Sequence, residues 1–404
     1  MRLAAISPFI DRRHGTERCL AEQLERFAAR PDVEIHLYAQ TVEDLPNAVR
    51  YPAQAQGHVV WHRVPRLGGP HLFGYIWWFV ANHLQRWWDS NIRGLKFDLL
   101  YSPGINAFDA DAISIHVVFS EFYRQVRPRL GLGGVPLRFS FVNAHRRLYY
   151  SLIRRLEKRV YPRRSVSLTA ISAHSSDAMR HLFGRDDVLV VRYGVDTTAF
   201  YPAARAKRRD TERASRGLRE ADFCILLIGN DWKSKGLDSL LTALAHCPEV
   251  GFIVLVAGEG NPLAYEPQIR NLDLGSRIRF VGSSPDVMRF YAAADVYVAP
   301  SLEDAYGLPI LEAMACGLPV IASSRAGASE IIRDGKDGFV LRDPEDSREL
   351  AALLRKVYSD LPLREKVAEQ AARTAVEHTW DRNATATWEF LTAALARKRR
   401  QNAK

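Results

Sequence analysis

Six short β-type runs, at 223–229, 252–256, 278–281, 295–299, 319–322 and 338–341, alternate with stretches whose apolar positions recur every three or four residues. Brief continuous runs separated by helical patterns predict a parallel sheet with helices on both faces. The first half shows the same alternation less regularly. An apolar run over 2–9 leads through the polar loop DRRHGTE into a helical pattern with Leu20, Leu24 and Phe27, and further strands are expected at 34–38, 97–102 and 112–118. Residues 202–220, PAARAKRRDTERASRGLRE, supply few core candidates and read as a linker. The pattern therefore predicts two α/β domains, 1–196 and 197–383, with a final helix over 384–404 that carries Trp388, Phe390 and Leu391 and packs back on the first domain.

At 404 residues the chain is long enough for two such domains, and 47% apolar with 25% charged residues is ordinary for folded proteins. The four cysteines, Cys19, Cys224, Cys247 and Cys316, form no CxxC pair, which argues against a zinc site or a disulfide framework and fits a reducing compartment. The start, MRLAAISPFI, does not read as a signal peptide, and no run of eighteen apolar residues occurs. A cytoplasmic protein is expected.

The net charge of +10 is concentrated. Residues 120–164 hold twelve Lys or Arg against only Glu121 and Glu157, which accounts for the whole excess. Arginines there interleave with Phe122, Tyr123, Phe139, Phe141, Tyr149 and Tyr150. Helical spacing sets Leu148, Leu152 and Leu156 on one side, with Arg147, Arg154 and Lys158 available to another. Residues 71–88 add four tryptophans within twelve positions. Basic amphipathic faces and tryptophans suit an anionic membrane surface, so peripheral contact through 120–164 on the inner face of the membrane is expected. No nucleic-acid-binding motif accompanies the charge.

The stretch most informative for chemistry is 300–312, PSLEDAYGLPILE, which follows the strand ADVYVAP and opens a helix. Ligands bind at the carboxyl ends of parallel strands, and a helix N-terminus offers free N–H groups and a positive dipole end to a diphosphate. Gly307 permits close backbone approach, Pro309 suits a first helical turn, and Glu312 can accept hydrogen bonds from a ribose diol. Asp109-Ala-Asp111 mimics a metal-binding DxD, but its surroundings read as a loop.

The order Asp304-Ala-Tyr-Gly-Leu-Pro-Ile-Leu-Glu312, continued by AMACGLPV, resembles the retaining glycosyltransferases of family 4, which have the GT-B fold of two facing Rossmann-like domains. RYGVDTTAFYP at 192–202 and IGNDWKSKGLDSLLTAL at 228–244 resemble that family's hinge strand and phosphate loop. Among its members the chain is most similar to lipopolysaccharide core glucosyltransferases. The resemblance implies an NDP-sugar donor, UDP-glucose above all, whose hexose passes without a metal to a hydroxyl of a glycan or glycolipid acceptor while the nucleoside diphosphate leaves. It further implies that Glu312 holds the ribose, that Tyr306, Gly307 and Leu308 meet the sugar and phosphates, and that Lys235 neutralises the diphosphate. Gly15 would approach the phosphates from the first domain, and His116 would stand near the donor sugar. Three positions depart from the pattern. Asp304 replaces a glutamate, with Glu303 beside it as a substitute; Asn230 replaces an arginine, leaving Lys233 as the nearest compensating charge; and His14-Gly15 carries a single glycine where a pair is common. Two other readings stay open: a sugar-nucleotide epimerase of the same architecture, and a membrane-attached scaffold without activity.

Overall fold

The computed structural model describes residues 1–51, 57–69, 71–126 and 141–403. The chain divides into two units, Met1–Arg192 together with Trp380–Lys404, and Tyr193–Thr379.

Unit 1 contains β1 (Arg2–Ile6), β2 (Phe9–Ile10), β3 (Glu34–Ala39), β4 (Thr41–Val42), β5 (Ala48–Arg50), β6 (Val59–Arg63), β7 (Leu99–Pro103), β8 (Ala112–Ile115), β9 (Ser167–Ala170) and β10 (Leu189–Val190). Eight of them make one parallel sheet in the order β10-β9-β8-β7-β1-β3-β6-β5, and β2 pairs with β4. Its helices before the crossover to unit 2 are α1 (Gly15–Ala28), α2 (His71–Asn91), α3 (Phe119–Val126), α4 (Phe141–Val160) and α5 (Ala173–Phe183). Leu3, Ala4, Ala5 and Ile6 of the central β1 are all fully buried, which is why a continuous apolar run announces that strand.

β6 was harder to read because its buried His62 belongs to a polar network. Tyr38 donates to Asp89 at 2.7 Å, Arg93 pairs with the same carboxylate at 2.7 Å, and His62 Nδ1 stands 2.9 Å from it. His62 Nε2 in turn lies 2.9 Å from His36 Nδ1. Burial, and after it the neighbouring His62, pushes the His36 imidazole down to about 4. Burial alone takes His116 down to about 3. An unfolded imidazole titrates near 6.5, so the unfolded chain binds protons first: stability present above that value is lost as pH falls from about 6.5 to 4, by on the order of 3 kcal/mol for His36 alone. Denaturation of the whole chain followed at about pH 7.5 and about pH 4.5 should show the loss, and His36→Asn, which keeps a hydrogen-bonding group, should remove the His36 share and leave that of His116.

Unit 2 carries α6 (Pro202–Ala214), β11 (Cys224–Ile228), α7 (Leu237–Ala245), β12 (Ile253–Ala257), α8 (Glu266–Asn271), β13 (Ile278–Gly282), α9 (Met288–Ala293) and β14 (Val296–Ala299). It continues through α10 (Leu308–Ala315), β15 (Val320–Ser323), β16 (Phe339–Leu341), α11 (Ser347–Ser359) and α12 (Leu361–Val376). Its six strands are those expected from the sequence, all parallel, in the order β13-β12-β11-β14-β15-β16. The linker expected at 202–220 is instead the helix α6 over most of its length. Its arginines are not solvated: Arg205 and Arg209 reach the Ala294 carbonyl at 2.7 and 3.0 Å, Arg213 reaches that of Ala293 at 3.0 Å, and both Arg209 and Arg213 pair with Asp295. Cations placed against the carbonyl end of α9 meet the negative end of its dipole, so a basic run here is packing and not a tether.

The chain closes with α13 (Trp380–Asn402), which starts four residues earlier than expected. Leu391 is fully buried in a cluster with Leu20, Leu24 and Phe27 of α1. Gln23 of α1 donates to Asn383 at 2.9 Å and to Thr387 at 3.1 Å, which fixes the rotation of the two helices.

Candidate functional site

In unit 2 the chain leaves β11 towards β12 and β13 on one side, whereas β14, β15 and β16 lie on the other. The loops after β11 and β14 therefore diverge at a topological switch point, where open α/β sheets bind ligands. Lys235 stands on the first loop, two residues before α7, and Asp304 on the second; their side chains form a hydrogen-bonded ion pair across the switch point. The approach of the two loops requires glycine. Gly236 has φ +78°, and a Cβ there would lie 1.9 Å from the Pro300 carbonyl oxygen. Leu302 N donates to Ser234 O at 2.8 Å, joining the loops through their backbones.

The Asp304 loop is also held from its other side. Gly327 N donates to Asp304 O at 3.1 Å, and Ala328 N to Tyr306 O at 2.7 Å. Tyr306 is buried, packs its ring 4.7 Å from that of Tyr193, and donates to the Tyr193 carbonyl at 3.3 Å. Gly307, at φ +88°, is the residue before α10, whose first residue is Leu308. Glu312 lies one turn in and is buried, with Oε2 accepting a 2.8 Å hydrogen bond from Tyr291. Burial, reinforced by the Glu312 charge, drives the Tyr291 hydroxyl well above its usual range, so it stays a donor. Glu303 is half-buried beside Asp304 and Lys233 is exposed on the Lys235 loop. Asn230 ties its loop to the next, accepting from Glu259 N at 3.2 Å.

Lys235, Asp304, Tyr306, Gly307, Leu308 and Glu312 thus converge in unit 2, while Gly15 and His116 belong to unit 1. There His116 lines a cavity of about 630 Å³ at the carboxyl ends of β1, β3, β7 and β8. Cavities of about 300–1,000 Å³ hold small ligands. Gly15 opens α1, and its neighbours His14 and Thr16 line the same cavity. A pair that sequence reasoning missed stands there: His14 Nδ1 lies 2.8 Å from Asp11 Oδ2, and Asp11 also accepts from the backbone of Arg13 and His14. Burial opposes the Asp11 charge, but those hydrogen bonds hold its carboxyl below the usual range. Tyr75, Trp78, Phe119, Tyr149 and Ile153 give the cavity an aromatic and aliphatic wall.

The DxD stretch is a loop anchor. Arg86 holds Asp109 with two hydrogen bonds of 2.7 and 2.8 Å, and Asp111 accepts from Leu100 N and Lys398, both at 2.8 Å. Of the basic segment, residues 127–140 lie outside the described residues. Over residues 147–160 of α4 the buried face is Ile153, Leu156, Glu157 and Val160, so the expected leucine stripe is rotated and Leu148 is 54% exposed. The rotation follows from Glu157, whose carboxylate accepts from Phe119 N at 2.6 Å and Ser120 N at 2.8 Å at the start of α3. Among the described residues no helix is long and apolar enough to cross a membrane.

Residues 208–374 match the family model of glycosyl transferases group 1. Over 170 residues the chain is 32% identical to the lipopolysaccharide glucosyltransferase WaaG of Escherichia coli (strain K12), covering 41% of this chain and 46% of that protein. The chain spans about half the length of the curated relatives it matches. In structure it is similar to WaaG, a glycosyltransferase involved in lipopolysaccharide biosynthesis, with TM-score 0.73 at 20% identity over 96% of this chain and 99% of that one. It is also similar to Anabaena Alr3699/HepE in complex with UDP and glucose, with TM-score 0.68 at 20% identity over 97% and 100% of the two chains. The expected GT-B fold is therefore the fold of this chain.

Proposed function

We propose that this chain, whose residues 208–374 form a group 1 glycosyl transferase domain, is a retaining hexosyltransferase that moves glucose from UDP-glucose to a glycan or glycolipid of the cell envelope. The observation that carries the reading is the Lys235–Asp304 pair at the switch point of unit 2, on the loop that leads into α10, with the buried Glu312 one turn inside that helix. An incoming diphosphate competes with Asp304 for the Lys235 ammonium. Its capture leaves the Asp304 carboxylate, or Glu303 beside it, to accept a sugar hydroxyl. The N-terminus of α10 adds backbone N–H groups aimed at negative charge, and Glu312, oriented by Tyr291, takes the ribose diol.

Charge on the departing diphosphate is then met by Lys235, Lys233 and helix-end dipoles, fixed before the reaction begins and requiring no metal ion. In a retaining transfer the leaving phosphate itself assists the acceptor hydroxyl on the same face. The neutral His116 and the His14–Asp11 pair suit the unit 1 cavity to hydroxyl-bearing acceptors, and the protein works in the cytoplasm on the inner face of the membrane. UDP in HepE and lipopolysaccharide in the WaaG names support the nucleotide and the acceptor class.

The test is a thermal-shift and hydrolysis screen of nucleotide sugars on the whole chain. UDP-glucose is expected to raise the melting transition and release UDP slowly; at about a hundredfold excess over Kd the stabilisation is about 2.7 kcal/mol. Conversion of the donor sugar without acceptor would favour the epimerase, and no response to any nucleotide from folded protein would favour the scaffold.

A further inference from the structure

Helix α2 is apolar on two faces. Trp78 and Phe79 are buried in the core of unit 1, and Tyr75 and Trp78 line its cavity. On the opposite side Phe73, Ile76, Val80, Leu84 and Trp87 follow one another at three- and four-residue spacing and are 60, 46, 46, 55 and 52% exposed. Such spacing places them in one stripe along the helix. Trp88 and Ile92, both at least half exposed, extend it at the carboxyl end. Soluble surfaces scatter single apolar residues, whereas a contiguous row of this size marks an interaction site.

The charges around the stripe say what covers it. Between residues 63 and 97 the sole acid is Asp89, which is buried under Tyr38, His62 and Arg93, and Asp109, 40% exposed beside α2, is paired with Arg86 and stands 3.7 Å from His83. Arg63, Arg66 and Lys96 are exposed on the flanks of α2. The neighbouring α4, which meets α2 through the Tyr75–Tyr149 ring contact at 5.4 Å, exposes Arg155, Lys158 and Arg159. The only acid of α4 is the buried Glu157. A second copy of the chain would bring two such cationic borders together. An anionic bilayer instead offers headgroups to the cations and an acyl boundary to the stripe, and tryptophans near its end suit that interface.

We infer that the outward face of α2 docks the protein on an anionic lipid bilayer, with Phe73, Ile76, Val80, Leu84 and Trp87 inserted among the headgroups. The contact is distinct from the basic segment 120–164 in that the inserted residues all lie on α2. It places the cavity behind Tyr75 and Trp78 next to the lipid surface, where an acceptor carried by a lipid would arrive. The inference does not depend on the transferase reading, since its test uses no donor or acceptor.

The whole chain is sedimented with vesicles of phosphatidylcholine alone or containing about 30% phosphatidylglycerol, at low and high salt. Binding to the anionic vesicles is expected, with a blue shift of tryptophan emission. Val80→Asp with Leu84→Asp should reduce the partition coefficient at least about tenfold while the melting transition holds, because both side chains are exposed. Phe73→Ser with Trp87→Ser provides a second pair at separate positions of the stripe. Unchanged vesicle binding by both pairs overturns the inference, as does wild-type protein that ignores vesicles but forms a dimer that either pair dissolves.

Discussion

Lys235→Ala should lower kcat/KM by about 10²–10³-fold, the size of effect seen when a preorganised stabiliser of developing charge is removed. The variant loses the cation and also leaves Asp304, whose side chain is only 13% exposed, without its counter-ion at the same switch point. Both changes place uncompensated negative charge where the proposed transfer has its diphosphate depart, so kcat should fall further than donor affinity. Lys235→Arg keeps the charge but not the compact ammonium, and the stem is confined: a Cβ at Gly229 would stand 2.5 Å from Lys235 Cγ. Partial recovery of donor binding with little recovery of kcat is the expected result for Arg. Steady-state kinetics with UDP-glucose, with binding measured separately by calorimetry, decide the matter. If Lys235→Ala with Asp304→Asn regains wild-type turnover, the pair is a structural clasp and the assignment of Lys235 to the diphosphate fails.

The legibility of this arrangement in the sequence follows from burial. In unit 2, β11, β12, β14 and β15 are buried almost throughout and each reads as a continuous apolar run, the edge strand β13 is only partly buried and carries Arg279, and all six strands stand where the β-type runs lie. In unit 1, β5, β9 and β10 are two to four residues long, and β6 carries His62 into a buried polar network. Neither leaves an apolar run to find. The segment 202–220 misled for the opposite reason. Arg205, Arg209 and Arg213 look solvated in one dimension, yet the carbonyls of Ala293 and Ala294 and the Asp295 carboxylate that receive them lie some eighty residues away.

The candidate site shows the same division. Asp304, Gly307 and Glu312 sit in one stretch with the spacing of a loop that opens a helix, so local pattern finds them. Tyr291, which orients Glu312, is twenty-one residues earlier on another helix, and the His14–Asp11 pair depends on the turn of one loop. No local period encodes either contact. The tryptophans of α2 were visible as a cluster, but their opposite fates, Trp78 buried and Trp87 exposed, depend on which side of the helix meets the sheet.

Glu312→Ala should raise the Kd for UDP-glucose by about 10- to 100-fold, an expectation that follows from losing a charged acceptor worth about 1.5–3 kcal/mol in hydrogen bonds. The residue is also a structural partner, and the two roles must be separated. Its carboxylate is the acceptor for the buried Tyr291 hydroxyl, so the same substitution should destabilise unit 2 by about 1–3 kcal/mol through the orphaned donor. Tyr291→Phe removes that hydroxyl but leaves the carboxylate in place. If Glu312 touches the ribose, Tyr291→Phe should raise Kd by no more than about tenfold and leave kcat near wild type, because orientation is loosened while the acceptor survives. In Glu312→Ala with Tyr291→Phe the stability loss should shrink, since both partners are gone, whereas donor affinity should stay as weak as in Glu312→Ala. Recovery of affinity in that double variant would mean that Glu312 acts on the donor only through the fold, and the ribose contact would have to be sought on another residue of the α10 entrance.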